Sequence, residues 1–114
     1  MVEAPLHPSD TLRAGEVELD RQKRQLTWNA DPVRAVELTE SELTIMVTLM
    51  EKPNQVVSCN TLGSALGYQN MDKWTIENVI RSVVFRLRQK IETDSERTRL
   101  IHTVRGRGYY FALA

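Results

Sequence analysis

Residues 100–113 have the sequence LIHTVRGRGYYFAL, in which two runs of strand-forming residues flank a short basic turn. β-Branched and aromatic side chains favour strands, and a turn of a few residues that contains glycine is typical of a β-hairpin. Gly106 and Gly108 allow the chain to turn tightly, which places Arg105 and Arg107 at the end of the hairpin. The segment therefore predicts a hairpin with a positively charged tip.

The segment before it, residues 74–91, has the apolar period of a helix. Its apolar residues recur at spacings of three and four, which places them on one side of a helix that turns about 100° per residue. They are Ile76, Val79, Ile80, Val83, Val84, Leu87 and Ile91. The other sides carry several arginines and no acid between Glu77 and Glu92. We therefore predict a long helix with an apolar side and a basic side.

Two shorter helices are predicted upstream of residue 74. Thr39 is a candidate N-cap, and Glu42 three residues later completes a capping box. Ser58 is a second candidate N-cap, it follows an extended pair of valines at 56 and 57, and Gly67 ends the short helix. The first helix carries an apolar stripe of Leu43, Met46, Val47 and Met50, and the second contains Leu62, Ala65 and Leu66.

Short strand-forming segments precede the first helix. Residues 16–20, 25–28 and 34–38 either alternate between polar and apolar residues or are rich in strand formers, and turn-forming residues separate them. This pattern predicts a small antiparallel sheet with one buried face. The start of the chain contains two prolines and few apolar residues, so we predict a linker over residues 1–11 and one α+β domain over residues 12–114.

The composition limits the class of protein. A chain of 114 residues with 41% hydrophobic and 26% charged residues has the size and composition of one globular domain. No stretch approaches about 18 consecutive apolar residues, so no membrane span is expected. The single Cys59 cannot form an internal disulfide and fits a reducing cytoplasm. Because the sequence offers no nucleophile–base pair, metal cluster or phosphate-binding loop, we predict no enzyme, catalytic residue, metal or cofactor.

The net charge of zero conceals an uneven distribution. Residues 1–72 contain six lysines and arginines against eleven acids, whereas residues 73–114 contain nine lysines and arginines against four acids. A basic half of this kind indicates a polyanionic partner, although two simply solvated surfaces would give the same count.

Four motifs in this sequence resemble the C-terminal effector domain of OmpR/PhoB-type response regulators, the transcription factors of bacterial two-component systems. The resemblance covers nearly the whole chain from about residue 12 to residue 113. The motifs are Leu38-Thr39-x-x-Glu42, Pro53-x-x-Val56-Val57-Ser58, Arg86-Leu87-Arg88-x-Lys90-Ile91 and Thr103-Val104-Arg105-Gly106-x-Gly108-Tyr109-x-Phe111.

The resemblance implies a winged helix-turn-helix with an N-terminal four-stranded antiparallel sheet, three helices and a C-terminal hairpin wing. It implies sequence-specific DNA binding for transcription regulation, with the third helix in the major groove and the wing at the minor groove. Arg86 matches the base-reading arginine of the family. The full set of predicted DNA contacts is Asn78, Val79, Arg81, Ser82, Val83, Phe85, Arg86, Arg88, Thr103, Arg105, Arg107 and Tyr109.

The resemblance also implies partners. Family members bind direct repeats of double-stranded DNA as tandem homodimers, and they contact RNA polymerase through the loop between the second and third helices. The matching residues here are Tyr68, Gln69, Asn70, Met71, Asp72 and Lys73. The receiver domain that precedes this domain in the family is absent from the chain, which we therefore interpret as an effector domain.

The sequence departs from the family pattern at the start of the recognition helix. The usual Arg-Thr-Val-Asp-Val-His run is replaced here by residues 78–83, NVIRSV, so we expect a different DNA sequence to be read. Phe85 lies outside the apolar stripe, and contact with thymine methyl groups, with a sugar or with the preceding loop all stay open. The alternative function is a winged-helix module that binds a protein and not DNA.

Overall fold

An antiparallel sheet, three helices and a hairpin follow one another along the chain, which confirms the predicted α+β winged helix-turn-helix. The computed structural model describes residues 11–28, 34–92 and 100–113. The elements are β1 (Thr11–Ala14), β2 (Val17–Asp20), β3 (Gln25–Trp28), β4 (Arg34–Glu37), α1 (Glu40–Met50), α2 (Cys59–Ala65), α3 (Lys73–Ile91), β5 (Ile101–Val104) and β6 (Gly108–Phe111).

The N-terminal sheet has the order β1-β2-β3-β4, and every neighbouring pair is antiparallel. The register aligns Leu12, Leu19, Leu26 and Val36 in one row across the four strands. Leu19 and Leu26 are fully buried, so this row forms the inner face of the sheet. β1 includes Thr11, which the prediction had left in the linker; the rest of that linker lies outside the described residues.

Helix α1 begins with the predicted capping box. The Thr39 hydroxyl accepts a hydrogen bond from the Glu42 amide at 3.2 Å, and the Glu42 carboxylate accepts one from the Thr39 amide at 2.9 Å. The predicted apolar stripe is partly wrong, because Leu43 and Val47 are only half-buried while Ile45 and Leu49 are fully buried. The reason is that α1 packs against α2, α3, β1 and β6 and buries more than one side.

Helix α2 is short and is fixed at both ends. The Ser58 hydroxyl accepts a hydrogen bond from the Thr61 amide at 3.1 Å, which confirms the predicted N-cap. Leu62 is fully buried, whereas Ala65 is exposed. Gly67 has a φ of +90°, a conformation that favours glycine and ends the helix.

Helix α3 buries the side that the sequence predicted. Ile76, Ile80, Val83, Val84, Leu87 and Ile91 are the buried residues, whereas Val79 is half-buried at the edge of this side. Asp72 is the N-cap of the helix, and its carboxylate accepts a hydrogen bond from the Thr75 amide at 2.8 Å.

The C-terminal hairpin pairs β5 with β6 around a three-residue turn at residues 105–107, in which Gly106 has a φ of +76°. The hairpin is attached to the helices through Val57, which exchanges two backbone hydrogen bonds of 2.8 and 3.0 Å with Tyr109. Ile101 and Phe111 are almost fully buried, so the hairpin shares one core with α3.

Candidate nucleic-acid interface

The side of α3 opposite the core carries two large exposed aromatic rings. Trp74 is 74% exposed and Phe85 is 60% exposed. Asn78, Arg81 and Phe85 follow Trp74 by four, seven and eleven residues. These helical spacings place the four side chains on one side of α3. An α-helix fits into the major groove of B-form DNA, and this side of α3 is turned away from the core.

A cleft of about 530 Å³ lies between the start of α2, the first half of α3 and the wing. Among the residues that the structure describes, four basic side chains and one acidic side chain, Glu77, line it. The basic residues are Lys73, Arg81, Arg105 and Arg107. A concave surface with this excess of positive charge suits a polyanion such as a phosphate backbone.

The tip of the wing is held close to the start of α2 by a glycine. Gly108 has a φ of +147°, and a Cβ atom at this position would lie 2.0 Å from the Val57 carbonyl oxygen. Only a residue without a side chain permits the backbone pairing between Val57 and Tyr109. Thr103, Arg105 and Arg107 are exposed on this hairpin, as the prediction of a basic tip requires.

Arg88 has hydrogen-bond partners within the protein. Its guanidinium group donates hydrogen bonds to the Ile101 carbonyl oxygen at 2.9 and 3.3 Å and to the Thr103 hydroxyl at 2.7 Å. It also lies 3.9 Å from the Glu92 carboxylate and 5.9 Å from the centre of the Tyr109 ring. The side chain thus joins α3 to the wing, and the DNA contact at Arg88 stays a prediction.

Arg86 projects past a buried carboxylate on α1. Its side chain is 55% exposed, and its Nε atom lies 4.0 Å from Glu42 Oε2. Glu42 is 1% exposed, and its other oxygen accepts a hydrogen bond from Lys90 Nζ at 2.6 Å. Burial alone raises the pKa of Glu42, but the Lys90 ammonium and the hydrogen bonds from Thr39 outweigh it and hold the pKa below its ordinary value. The carboxylate is thus negative and sits at the base of the Arg86 side chain.

Other titratable groups near the cleft are held in one protonation state. Burial raises the pKa of the Cys59 thiol and of the Tyr109 phenol, so both stay neutral at pH 7. Hydrogen bonds from the backbone and side chain of Thr75 lower the pKa of Asp72, which keeps the N-cap of α3 ionised.

Most of the predicted contact residues are accessible in the structure. Their side chains are exposed or half-buried along α3 and the wing, namely Asn78, Val79, Arg81, Ser82, Phe85, Arg86, Thr103, Arg105 and Arg107. Two other predicted contacts have buried side chains in this structure, and their DNA contacts stay predictions. Val83 is 3% exposed within the core, and Tyr109 is 7% exposed beneath Arg88.

The predicted polymerase-contact loop forms most of the connection between α2 and α3. Gln69, Asn70, Met71 and Asp72 are exposed, and Tyr68 is half-buried. Lys73 is different, because it is the first residue of α3 and lines the basic cleft. The sequence interpretation missed Lys73 as a cleft residue and Trp74 as an exposed one, although the helical spacing from Trp74 to Phe85 could have revealed the latter.

Within residues 11–28, 34–92 and 100–113, no three His, Cys, Asp or Glu side chains come close enough together to hold a metal ion. The helices of this described part are too short or too polar to cross a membrane.

Known proteins with this fold include transcription regulators. A family model described as "Transcriptional regulatory protein, C terminal" matches residues 33–111. The transcriptional activator protein IrlR of Burkholderia pseudomallei strain 1026b is 36% identical over 101 residues, which make up 89% of this chain and 42% of that protein. The chain thus spans less than half the length of this curated relative.

Two solved structures have the same arrangement of elements. The C-terminal domain of the nisin resistance regulator NsrR is 30% identical with a TM-score of 0.70, and the match covers 90% of this chain and 98% of that one. The RstA DNA-binding domain of Klebsiella pneumoniae, in complex with the RstA box, is 25% identical with a TM-score of 0.68, and the match covers 90% and 96%. The chain belongs to the family of transcriptional regulatory protein C-terminal domains, the winged-helix DNA-binding domains of OmpR/PhoB-type response regulators.

Proposed function

We propose that this chain binds double-stranded DNA sequence-specifically, as the effector domain of a two-component response regulator, with α3 in the major groove and the wing tip at the adjacent minor groove. The observation that carries the proposal is the basic cleft, in which Lys73 and Arg81 of α3 face Arg105 and Arg107 of the wing. These groups are placed to contact the sugar–phosphate backbone on either side of a groove.

We assign base reading to Arg86. It is more than half exposed, and the nearby Glu42 carboxylate restrains its guanidinium group from the protein side. An arginine that enters the major groove can pair with the O6 and N7 atoms of guanine through two hydrogen bonds. Arg105, at the wing tip, is placed to enter a minor groove that is narrow where A·T pairs are frequent.

Selection of bound duplexes from a random library, at a stated salt concentration, tests this function. We expect an enriched motif and an affinity that falls by orders of magnitude between roughly 50 and 200 mM salt, because several phosphate contacts release counterions. No enrichment, or an affinity that is flat across this range, would refute DNA binding and favour the protein-binding alternative.

We further propose that two copies bind direct repeats in tandem and that residues 68–72 contact RNA polymerase in the cytoplasm. The resemblance to the family supports both points, and the exposed Met71 gives the loop an apolar group for a protein contact. The corresponding test is transcription in vitro from a promoter that carries one or two selected sites. A Met71→Ser variant should bind DNA normally but lose activation, and loss of DNA binding would contradict this assignment.

A further inference from the structure

We propose that Phe85 recognises the 5-methyl group of a thymine in the major groove, an inference that rests on the proposed DNA-binding function. The first observation is the position of the ring. Phe85 is 60% exposed, and it projects from the side of α3 opposite the residues that the helix buries. A phenyl ring left in water at the centre of a recognition helix gains free energy from any apolar partner.

The second observation concerns the two arginines one turn away on the same helix. Arg81 donates a hydrogen bond to the Asn78 side chain at 2.9 Å, and Arg88 donates to the Ile101 carbonyl and the Thr103 hydroxyl. Both guanidinium groups thus have hydrogen-bond partners within the protein, whereas the phenyl ring of Phe85 stays exposed.

The surroundings of the ring distinguish DNA from a protein as its partner. Phe85 follows Arg81, a residue of the basic cleft, by one helical turn and is adjacent to Arg86 in the chain, and no acid occurs on α3 between Glu77 and Glu92. This positively charged surface attracts a polyanion. In the major groove, the thymine methyl is the apolar group among the base edges, and phenylalanine is one of the side chains that contact it.

The experiment compares thymine with deoxyuridine, which lacks only the methyl group. In a duplex selected by the chain, each thymine is replaced in turn, and affinity is measured at constant salt. For the unaltered chain, we expect one or two positions at which methyl removal weakens binding about fourfold, the effect of one buried methyl group. Phe85→Ala should bind the thymine duplex about as weakly as the unaltered chain binds the deoxyuridine duplex, and should no longer distinguish them.

Two further variants serve as controls. Phe85→Leu keeps an apolar side chain and should retain part of the preference for thymine. Gln89 is also exposed, one helical turn further along α3, and Gln89→Ala should respond to methyl removal as the unaltered chain does. Because Phe85 is outside the core, the unfolding midpoints of these variants should match that of the parent chain.

The outcomes separate this inference from the function on which it rests. If the unaltered chain enriches no duplex, the proposed function itself fails. If it binds but no thymine responds to methyl removal, or if Phe85→Ala responds as the parent does, the role of Phe85 is refuted and DNA binding stands. If Phe85→Ala keeps its full affinity for DNA but lowers self-association in sedimentation equilibrium, the ring contacts protein and the inference is overturned.

Discussion

Replacing Arg88 by alanine should destabilise the domain, because this side chain fastens the wing to α3. Its guanidinium group makes hydrogen bonds to the Ile101 carbonyl and to the Thr103 hydroxyl. Hydrogen bonds that involve a charged group contribute about 1.5–3 kcal/mol each when they are protected from water. The Arg88 side chain is 28% exposed, so we expect a total loss of about 2–3 kcal/mol in the free energy of unfolding.

For a domain of this size, such a loss corresponds to a decrease of roughly 8–12 °C in the melting temperature. Urea denaturation followed by circular dichroism measures the loss in the free energy of unfolding for Arg88→Ala, Arg88→Lys and Thr103→Val. Lysine cannot reproduce the planar group that reaches two acceptors, so Arg88→Lys should recover little of the stability. The proposed role of Arg88 in holding the wing would be refuted if Arg88→Ala had a free energy of unfolding within about 0.5 kcal/mol of the parent and a salt dependence of DNA binding reduced by about one phosphate contact.

Three other predictions concern Gly108, Glu42 and the basic residues of the wing. Gly108→Ala should destabilise the domain by more than about 2 kcal/mol, and Gly106→Ala by only about 1 kcal/mol, because a Cβ at 108 meets the Val57 carbonyl while a Cβ at 106 meets open space; equal losses in urea denaturation would contradict this. The pKa of Glu42 is lower in the folded state, so its contribution to the free energy of unfolding is present above the unfolded pKa and is lost as the pH falls through the folded pKa. Glu42→Gln should therefore lose stability less steeply than the parent below about pH 5. A pH profile of stability that parallels the parent would show that the pair with Lys90 does not cause the acid destabilisation. Lys23→Ala, in the acidic half of the chain, should leave DNA affinity unchanged within about twofold, whereas Arg105→Ala should weaken it clearly. A tenfold loss of affinity in Lys23→Ala would contradict an interface formed by α3 and the wing.

The local signals in the sequence predicted the elements that depend on local physics. The capping box at Thr39 and Glu42, the buried side of α3 and the three-residue turn of the wing all follow from residue type and spacing. β1 was missed by residue patterns, and it is the antiparallel pairing with β2 that identifies it as a strand.

The contacts that could not be predicted join residues far apart in the chain. Lys90 meets Glu42 across 48 positions, and Arg88 reaches Ile101 across 13, so neither pair shows in a periodic pattern. The resemblance placed Arg88 on the DNA because it assigns a position on the helix, whereas the partners of the side chain depend on how the wing packs. Val83 was assigned both to the apolar stripe and to the DNA contacts, and its burial at 3% exposure confirms its place in the stripe.

The most direct test of the interface is chemical-shift mapping of the isotopically labelled chain during titration with a selected duplex. We expect the largest amide perturbations on the outward side of α3 and in residues 103–108, with β1 to β3 unaffected beyond the general effect of binding. Perturbations centred on the N-terminal sheet, or none in α3 and the wing at saturating DNA, would contradict the proposed mode of binding.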